Sequence, residues 1–404
     1  MHESILQDGT RIWIDWAADI DESGLSGLSH IYRLADLMRF YGVEVDFDWL
    51  MGISGEAFAH YYHPDGTFLT PFTHAWDSAL TGLRAYGFYG EWMTSGRGTG
   101  VESSLRTIEH EIKAGRPVIA PGIKASKDSI HSRCHYWFIM NGVDVLEKQA
   151  SLVGSPDCSV NFVPLPEGDS NDPREHPRWH GIVRTGNKHY GDNPLLLVKQ
   201  GTLARKKRES VLQSLEIMTK TSQQPIVLKG YGEGTYLAGV QALERLLLDV
   251  QRTQGEGLEE FRRLNPTKDD PFGGVHEELV HLRLLAERRR AAAAFLRKAT
   301  MHLPGKTQPD MDAAAAKYDE VSQLALEAFE LRHGPIEEND RIIEMSRVEN
   351  SGDDTPEWVA YWKRADENLA NAALRRDLAN LIRRALEAEC EAIAEIEKVL
   401  ARLP

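Results

Sequence analysis

The apolar residues of the C-terminal half of the chain recur every three or four positions, which is the spacing of one face of an α-helix. The stretches 236–250, 277–299, 312–331 and 378–403 all show this spacing. In the last of them the periodic positions are Leu378, Ile382, Ala385, Ile393, Ile396 and Leu400. The sequence therefore predicts a helical bundle over residues 205–404.

The first 204 residues carry a different pattern. Short apolar runs at 117–120, 136–140 and 195–198 are separated by Gly, Pro and Asp, which is typical of strands joined by loops. The segment 29–42 instead opens on a small polar residue and closes on a glycine, which predicts a helix. We therefore predict an α+β domain over residues 1–204, followed by an all-α domain over the rest of the chain.

Composition limits the functions that such a chain can have. Its 404 residues exceed the usual span of one compact core, so two domains are expected. The 61 acidic residues outnumber the 47 basic ones and give a net charge of −14, which argues against nucleic acid or an anionic membrane as the main partner. We interpret the local basic runs 205–208 and 288–290 as solvated helix faces or helix ends.

Cysteine usage and hydropathy predict the compartment. Cys134, Cys158 and Cys390 are too few for a disulfide framework in a chain of this length, which favours a reducing environment. The N-terminus lacks the basic and apolar segments of a signal peptide, and no stretch approaches about 18 uninterrupted apolar residues. We expect a cytoplasmic protein that does not enter a membrane.

Three separate pieces of the first domain carry the candidate chemistry. Ser29 begins the predicted helix and stands thirteen residues before the closing Gly42. A glycine-containing turn, 52–58, follows and ends in phenylalanine. The strand 115–119 comes next, and His135 heads the apolar strand after it.

In the order and spacing of these pieces, the first domain resembles the N-terminal domain of the butirosin biosynthesis protein H family. More distantly it resembles the bacteriocin-processing cysteine peptidases, and both groups are papain-like. The helical half resembles the C-terminal extension of relatives of that family, most clearly in the phrase 286–293. The resemblance implies a papain-like cysteine-peptidase fold, acyl transfer in specialised metabolism, a nucleophile at position 29 and a base at His135.

At three functional positions the chain departs from the family pattern. Ser29 replaces the cysteine nucleophile, and Ser23 stands where the peptidases place the glutamine of their oxyanion hole. The third catalytic position, usually Asp or Asn just before a proline, is taken by Ser155. Asp157 follows two residues later and is the first candidate for that role, because a shift of two residues along a strand keeps the same face.

The chemistry explains why the spacing matters. A nucleophile in the first turn of a helix lies beside backbone N–H groups and the positive end of the helix dipole, which stabilise the anion formed in acyl transfer. A thiol gains more there than a hydroxyl, because the helix and a nearby imidazole lower its pKa. Ser29 would need His135 as a general base and Asp157 to orient that base, with Asn141 and Asp144 as weaker alternatives.

Each candidate residue also has a purely structural explanation. Ser29 could be a helix N-cap, and His135 could be a histidine at the end of a strand that hydrogen-bonds a loop. His30 is expected either to be exposed or to lie behind the catalytic residues. Phe58 and Tyr61 belong to an aromatic-rich stretch that fills the core and in part could line a substrate groove.

Two functions therefore stay open. In the first, which the altered residues favour, the domain is a catalytically silent papain-like module that binds a peptide, a metabolite or an acyl-carrier protein. In the second, it is an active acyltransferase or amide hydrolase that uses Ser29 and His135 on a small-molecule, peptide or carrier-bound substrate. In either case the helical domain offers an interaction or homodimer surface.

The same reasoning names the candidate binding residues and the expected cofactors. The binding candidates are His30, Ser155, Asn141, Phe58 and Tyr61. The spacing of His176, His180 and His189 gives little support for a metal site, so we predict neither a metal nor a cofactor.

Overall fold

The computed structural model of the chain describes residues 5–16, 28–62, 75–93, 102–123, 136–153, 162–164, 184–185, 188–189, 195–201, 206–221, 226–228, 234–251, 275–348 and 356–403. The chain divides into two compact units, each of which is described by itself. Unit 1 comprises Met1–Leu50, Ala75–Arg205 and Arg347–Gly352. Unit 2 comprises Met51–His74, Lys206–Ser346 and Asp353–Pro404.

The regular elements are given in chain order. The strands are β1 (Ile5–Asp8), β2 (Arg11–Ile14), β3 (Tyr61–Tyr62), β4 (Phe88–Met93), β5 (Val118–Ile123), β6 (Tyr136–Asp144), β7 (Gln149–Val153), β8 (Phe162–Pro164), β9 (Arg184–Thr185), β10 (Lys188–His189), β11 (Leu195–Gln200), β12 (Ile226–Leu228) and β13 (Gly234–Ala238). The α-helices are α1 (Ser29–Phe40), α2 (Phe47–Ile53), α3 (Ala75–Ala85), α4 (Glu102–Lys113), α5 (Lys207–Thr221), α6 (Val240–Gln251), α7 (Val275–Ala299), α8 (Gln308–His333), α9 (Ile336–Val348), α10 (Pro356–Ala370) and α11 (Ala372–Ala401). The predicted α+β class with a helical C-terminal region is confirmed at this level.

Eight strands of unit 1 form one antiparallel sheet in the order β1-β2-β6-β5-β11-β4, and β7 and β8 extend it from β6. Strand β6 is long enough that β2 and β5 pair with successive parts of one of its edges. Trp13 of β2 pairs with Gly142, and Val118 of β5 pairs with Met140. The other edge of β6 pairs with β7, so β6 is the strand on which the sheet is assembled.

Both faces of β6 are covered, because its apolar residues alternate between them. Phe138 and Met140 belong to an apolar core with Ile108 and Ile112 of α4. Trp137 lies on the opposite face, where its ring contacts α1. A strand that is buried on both faces needs an unbroken apolar run, which is the pattern that predicted it.

Helix α1 is buried along almost its whole length. The residues buried in it are His30, Ile31, Arg33, Leu34, Ala35, Asp36, Leu37 and Met38. The chain leaves the helix at Gly42, whose φ of 77° is available to glycine without strain and whose N–H donates to the carbonyl of Arg39 at 2.8 Å. The predicted helix and its closing glycine are therefore confirmed, and the helix lies inside unit 1.

In unit 2 the long helices α7, α8 and α11 pack against one another, with α8 in contact with both of the others. Their shared core contains Leu285, Phe329, Leu378 and Ile382, together with Leu246 of α6. The helices predicted in this half by apolar spacing are present, and their ends differ from the predicted ones by a few residues. Helix ends depend on local caps that apolar spacing does not encode.

The expectation that the second half is all-α is wrong in one place. The stretch 236–250 is not a single helix, because β13 occupies its first residues and α6 begins only at Val240. Strand β13 pairs with β12 and with β3 to form a three-stranded sheet in unit 2. These strands are two to five residues long, which is too short for a period of two to be visible in the sequence.

The two units also differ from the predicted single boundary after residue 204, because Met51–His74 belongs to unit 2. Two contacts give the physical reason. Strand β3 pairs with β13, with Ala238 opposite Tyr61. The Ser214 hydroxyl of α5 donates to the carbonyl of Gly52 at 2.6 Å.

Gly52 of α2 lies directly against Phe295 of α7. A Cβ atom added at this position would lie 1.9 Å from Cγ of Phe295 and 2.2 Å from the next ring carbon, far inside van der Waals contact. Phe295 is fully buried and also contacts the ring of Phe58, so it has little room to move. The absence of a side chain at Gly52 is therefore a packing requirement.

We expect Gly52→Ala to lower the free energy of unfolding of unit 2 by about 1–3 kcal/mol, because the Phe295 ring must be displaced in a packed core. Gly305→Ala is the matched control, since no atom lies within 4 Å of the added Cβ at that position. Urea unfolding followed by far-ultraviolet circular dichroism measures both. Equal stabilities of the two variants would contradict the close approach of α2 and α7.

Candidate functional site

Ser29 is the first residue of α1, and the N-cap position before it is held by Leu28 with φ −113° and ψ 8°. The interpretation of Ser29 as the N-cap is therefore not supported. The first N–H groups of a helix have no partner within it, and the helix dipole adds positive potential at that end. The backbone of α1 thus offers the setting that an acyl-transfer nucleophile needs.

The other residues of the predicted catalytic triad, His135 and Asp157, lie outside the described residues, as does the binding candidate Ser155. The side chain of Ser29 is not described either. The predicted roles of these residues therefore stay predictions. The described part of the chain does contain their immediate neighbours, namely the first turn of α1 and the start of β6.

These two neighbours are in direct contact. The ring centroids of His30 in α1 and Trp137 in β6 lie 5.5 Å apart, with the rings inclined by 54°. Trp92 of β4 packs edge to face on the same Trp137 ring, at a centroid distance of 5.5 Å. The residue after Ser29 and the second residue after His135 are thus packed together inside unit 1, although they are more than a hundred residues apart in the chain.

His30 was expected either to be exposed or to lie behind the catalytic residues, and the first of these alternatives is wrong. The residue is 2% exposed, and Trp137 covers its ring. A buried imidazole on the inner face of a helix has a packing role. His30 therefore holds the first turn of α1 against β6, beside the predicted nucleophile.

The charged residues of α1 form a compact group one turn further along the helix. The Asp36 carboxylate is fully buried and accepts from Nη1 of Arg33 at 2.9 Å and from Nη1 of Arg39 at 3.0 Å. Arg33 is also buried, whereas about a third of the Arg39 side chain is exposed. Arg33 is four residues after Ser29, so the two residues lie on the same face of α1. The pairing of Asp36 with two guanidinium groups makes its burial tolerable.

Asn141 and Asp144 were the weaker candidates for orienting the catalytic histidine, and Asn141 was also a binding candidate. The Asn141 amide donates through Nδ2 to the carbonyl of Ile14 at 3.0 Å, which ties β6 to β2. The Asp144 carboxylate accepts from the Thr10 hydroxyl at 2.8 Å and from backbone N–H groups of the following turn. Both side chains therefore have structural roles in the sheet.

Phe58 and Tyr61, the remaining binding candidates, are buried in the core of unit 2. The Phe58 ring packs against Phe295 and Tyr318, with centroid distances of 6.1 Å and 5.7 Å. Tyr61 lies in β3, opposite Ala238 of β13. Of the two explanations for this aromatic stretch, the structure thus supports core packing.

The interpretation of residues 288–290 as a solvated helix face is wrong for two of the three arginines. Arg288 is 4% exposed and pairs through Nη2 with the buried Glu56 carboxylate. Arg289 is fully buried and makes a bidentate ion pair with Glu389, in which Nε and Nη2 each donate to a carboxylate oxygen at 2.7 Å. Its Nη1 donates to the carbonyl of Ala57 at 2.8 Å. Three buried alanines, Ala291, Ala292 and Ala293, come directly after Arg290, and such a run of small apolar residues is a sequence signal that this part of the helix is buried.

The bonds of Arg288 and Arg289 connect two of the sequence stretches on which the family resemblance rests. The turn 52–58 and the phrase 286–293 are in direct contact through the bonds of Arg288 and Arg289 to Glu56 and Ala57. The two phrases are separated by more than two hundred residues in the chain. Residues 56–57 of the first stretch and residues 288–289 of the second are therefore held by the same set of polar contacts in unit 2.

Comparisons with known proteins do not extend this description. No family model matches the chain, and a search of curated proteins gives no significant match. Among the described residues, no helix is long and apolar enough to cross a membrane. In the same part of the chain, no group of three or more His, Cys, Asp and Glu side chains is placed to hold a metal ion.

We expect Asp36→Asn to destabilise unit 1 by about 3–5 kcal/mol, because it leaves the buried guanidinium of Arg33 without its carboxylate. Glu44→Gln is the matched control: it makes the same chemical change at an exposed carboxylate just after α1 and should stay within about 0.5 kcal/mol of the wild type. Thermal and urea unfolding of both variants measure the difference. A loss below about 1 kcal/mol for Asp36→Asn would contradict the proposed dependence of α1 on this ion group.

Proposed function

We propose that unit 1 is a papain-like module of the butirosin biosynthesis protein H type, in which the start of α1 and the start of β6 form a cleft for an acyl or amide group. The observation that carries the proposal is the contact between His30 and Trp137. It brings together a residue that follows the predicted nucleophile and a residue that follows the predicted base.

The proposal goes from this contact to Ser29, which comes one residue before His30, and to His135, which comes two residues before Trp137. Side chains two residues apart on a strand share a face. The proposal is that the extended chain of β6 continues back to His135, which would put that side chain on the Trp137 side of the sheet, towards α1. Ser29 is adjacent to His30 at the end of the helix where the dipole is positive. The resemblance implies a buried helix that packs on an antiparallel sheet. The N-terminus of that helix would lie at the start of the strand that follows the catalytic histidine.

The sequence favours binding over catalysis at this cleft. Ser29, Ser23 and Ser155 replace the cysteine, the glutamine and the acid or amide of the family pattern. A serine hydroxyl is far less acidic than a cysteine thiol, so it depends more on a general base that is held in place. The ligand would be a peptide, a metabolite or a carrier-bound acyl group, and the helical unit would supply a partner or homodimer surface.

One observation favours the second candidate, an active acyltransferase or amide hydrolase. Leu28 holds the N-cap position, so capping does not explain why a serine stands at position 29. In that reaction the Ser29 Oγ attacks the acyl carbon while His135 takes its proton, and the N–H groups at the start of α1 stabilise the oxyanion. His135 then returns the proton to the leaving amine or thiol, and water or an acceptor amine or hydroxyl later releases the acyl group.

Covalent labelling distinguishes the two candidates. For the binding module, we expect a fluorophosphonate to leave wild-type Ser29 unmodified, whereas Ser29→Cys should introduce a thiol that iodoacetamide alkylates rapidly at pH 6. Because the helix start and His135 both favour the thiolate, Ser29→Cys with His135→Ala should lose most of that reactivity. Intact-mass and peptide mass spectrometry locate each adduct.

Ser103→Cys is the matched control, because Ser103 is an exposed serine in the first turn of another helix, α4. Its thiol has the benefit of a helix start without the proposed histidine. Fluorophosphonate labelling of wild-type Ser29 that disappears in Ser29→Ala would select the active enzyme. Equal alkylation rates at positions 29 and 103 would contradict both candidates, since each requires His135 beside position 29.

A further inference from the structure

Helix α11 of unit 2 exposes one row of side chains along its outer surface. The members of the row recur at alternating steps of four and three residues, which is the spacing by which one helix packs lengthwise on another. They are Arg376, Asn380, Arg383, Glu387, Cys390 and Ala394, and all of them are exposed. Buried residues of the same helix, Leu378 and Ile382 among them, face the core of unit 2. The outer row is therefore available to a partner.

The charge on the exposed surface of α11 changes sign near the middle of the helix. The exposed charged residues of the first half are Arg376, Asp377, Arg383 and Arg384, and those of the second half are Glu387, Glu391, Glu397 and Lys398. The first half is thus net positive and the second half net negative. This order does not stabilise the helix itself, because the helix dipole favours acidic residues near the N-terminus and basic residues near the C-terminus.

The two charges nearest the middle of the row are not neutralised within the chain. Arg383 and Glu387 form no ion pair with any residue that the structure describes. Nη1 of Arg383 instead donates to Oδ1 of Asn380 at 2.9 Å. A second α11 that runs in the opposite direction would bring opposite charges to both residues.

Two copies of α11 that pack antiparallel about a two-fold axis at residue 385 match along the whole row. Arg383 then faces Glu387 of the second copy, Asn380 faces Cys390, and Arg376 faces Ala394, and each contact occurs twice. The axis lies near the middle of the helix, Ala372–Ala401, so the two helices overlap over nearly their full length. A slide of one turn in either direction would place Glu387 opposite Glu387 or Arg383 opposite Arg383, which is unfavourable.

A groove of about 370 Å³ lies beside one end of the row, between α6 and α11. Val240, Ile393 and Ala394 supply its apolar lining, and Glu244 of α6 is one of its carboxylates. Glu244 is exposed, and it has no ion pair among the described residues. In the antiparallel register, Arg376 of the second copy comes to this groove. Its aliphatic stem would cover the apolar lining while its guanidinium reaches Glu244.

We propose that the chain forms a homodimer in which α11 pairs antiparallel with α11 of a second copy, and in which Arg376 of each copy fills the groove of the other. Charge complementarity along the row and at the groove selects a second copy as the partner. The inference deepens the proposed function at one point, because it locates the homodimer surface of the helical unit. It does not depend on the cleft at Ser29, so the association of chains and the labelling of Ser29 succeed or fail separately.

Charge reversal in the full chain tests the pairing, with sedimentation equilibrium measuring the mass over a concentration series. The wild type should be a dimer. Arg383→Glu and Glu387→Arg each place like charges opposite each other in both symmetry-related contacts, so either change alone should weaken self-association at least about tenfold. An equal mixture of the two variants should form a heterodimer as strong as the wild-type dimer, because both contacts then join opposite charges.

A control variant and a disulfide test the location and the register. Arg341→Glu reverses an exposed arginine of α9 and should leave self-association unchanged. In a chain carrying Cys134→Ser and Cys158→Ser, the change Asn380→Cys should give a covalent dimer on mild oxidation, through a disulfide to Cys390 of the second copy. Positions 380 and 390 of one helix are about 15 Å apart along its axis, so they cannot be bridged within one chain.

Two results would overturn the proposal. The first is a wild-type chain that stays monomeric at every concentration measured, which would leave the groove to a basic segment of a different protein. The second is a mixture of Arg383→Glu and Glu387→Arg that associates no more strongly than either variant alone, since these two residues would then not face each other.

Discussion

Two adjacent arginines of α7 bind residues 56–57, which belong to the first segment of the chain in unit 2. Arg288 neutralises the buried Glu56, and Arg289 binds Glu389 of α11 together with the carbonyl of Ala57. Removing a guanidinium group from water is costly, so each needs a charged partner and well-placed acceptors in the core. Once those partners are fixed, the positions of residues 56–59 relative to α7 and α11 are fixed as well. The tight contact of Gly52 with Phe295 and the pairing of β3 with β13 depend on the same placement.

A similar use of charge supports α1 in unit 1. A helix that is buried on nearly all sides can carry ionisable residues only if they neutralise one another, and Arg33, Asp36 and Arg39 do so within two turns. The aromatic contact of His30 with Trp137 then sets the first turn of the helix on the start of β6. The proposed cleft rests on these two contacts, because they determine where the N–H groups at the start of α1 point.

Much of this fold could be predicted from residue patterns. The parts that were not predicted share one physical cause. Unbroken apolar runs predicted β5, β6 and β11, and apolar residues every three or four positions predicted the long helices, because each of these elements buries continuous apolar surface. Strands β3, β12 and β13 are too short to show a period, and β3 is held by β13, a partner distant in sequence. Arg288 and Arg289 looked like surface residues, because a sequence does not show the partners that make a buried charge tolerable. Of the candidate site, the sequence indicated α1 and β6 but gave no sign that His30 and Trp137 are packed together.

The most direct test of the account is the distance between positions 29 and 135. In a chain carrying Cys134→Ser, Cys158→Ser and Cys390→Ser, the pair Ser29→Cys and His135→Cys should be bridged by dibromobimane, a short reagent that fluoresces after both of its carbons are alkylated. The pair Ser103→Cys and His135→Cys is the control and should not be bridged, because α4 packs on the other face of β6. A bridge in the first pair alone is the predicted result. Single alkylation of both thiols without a bridge, in the first pair, would contradict the cleft.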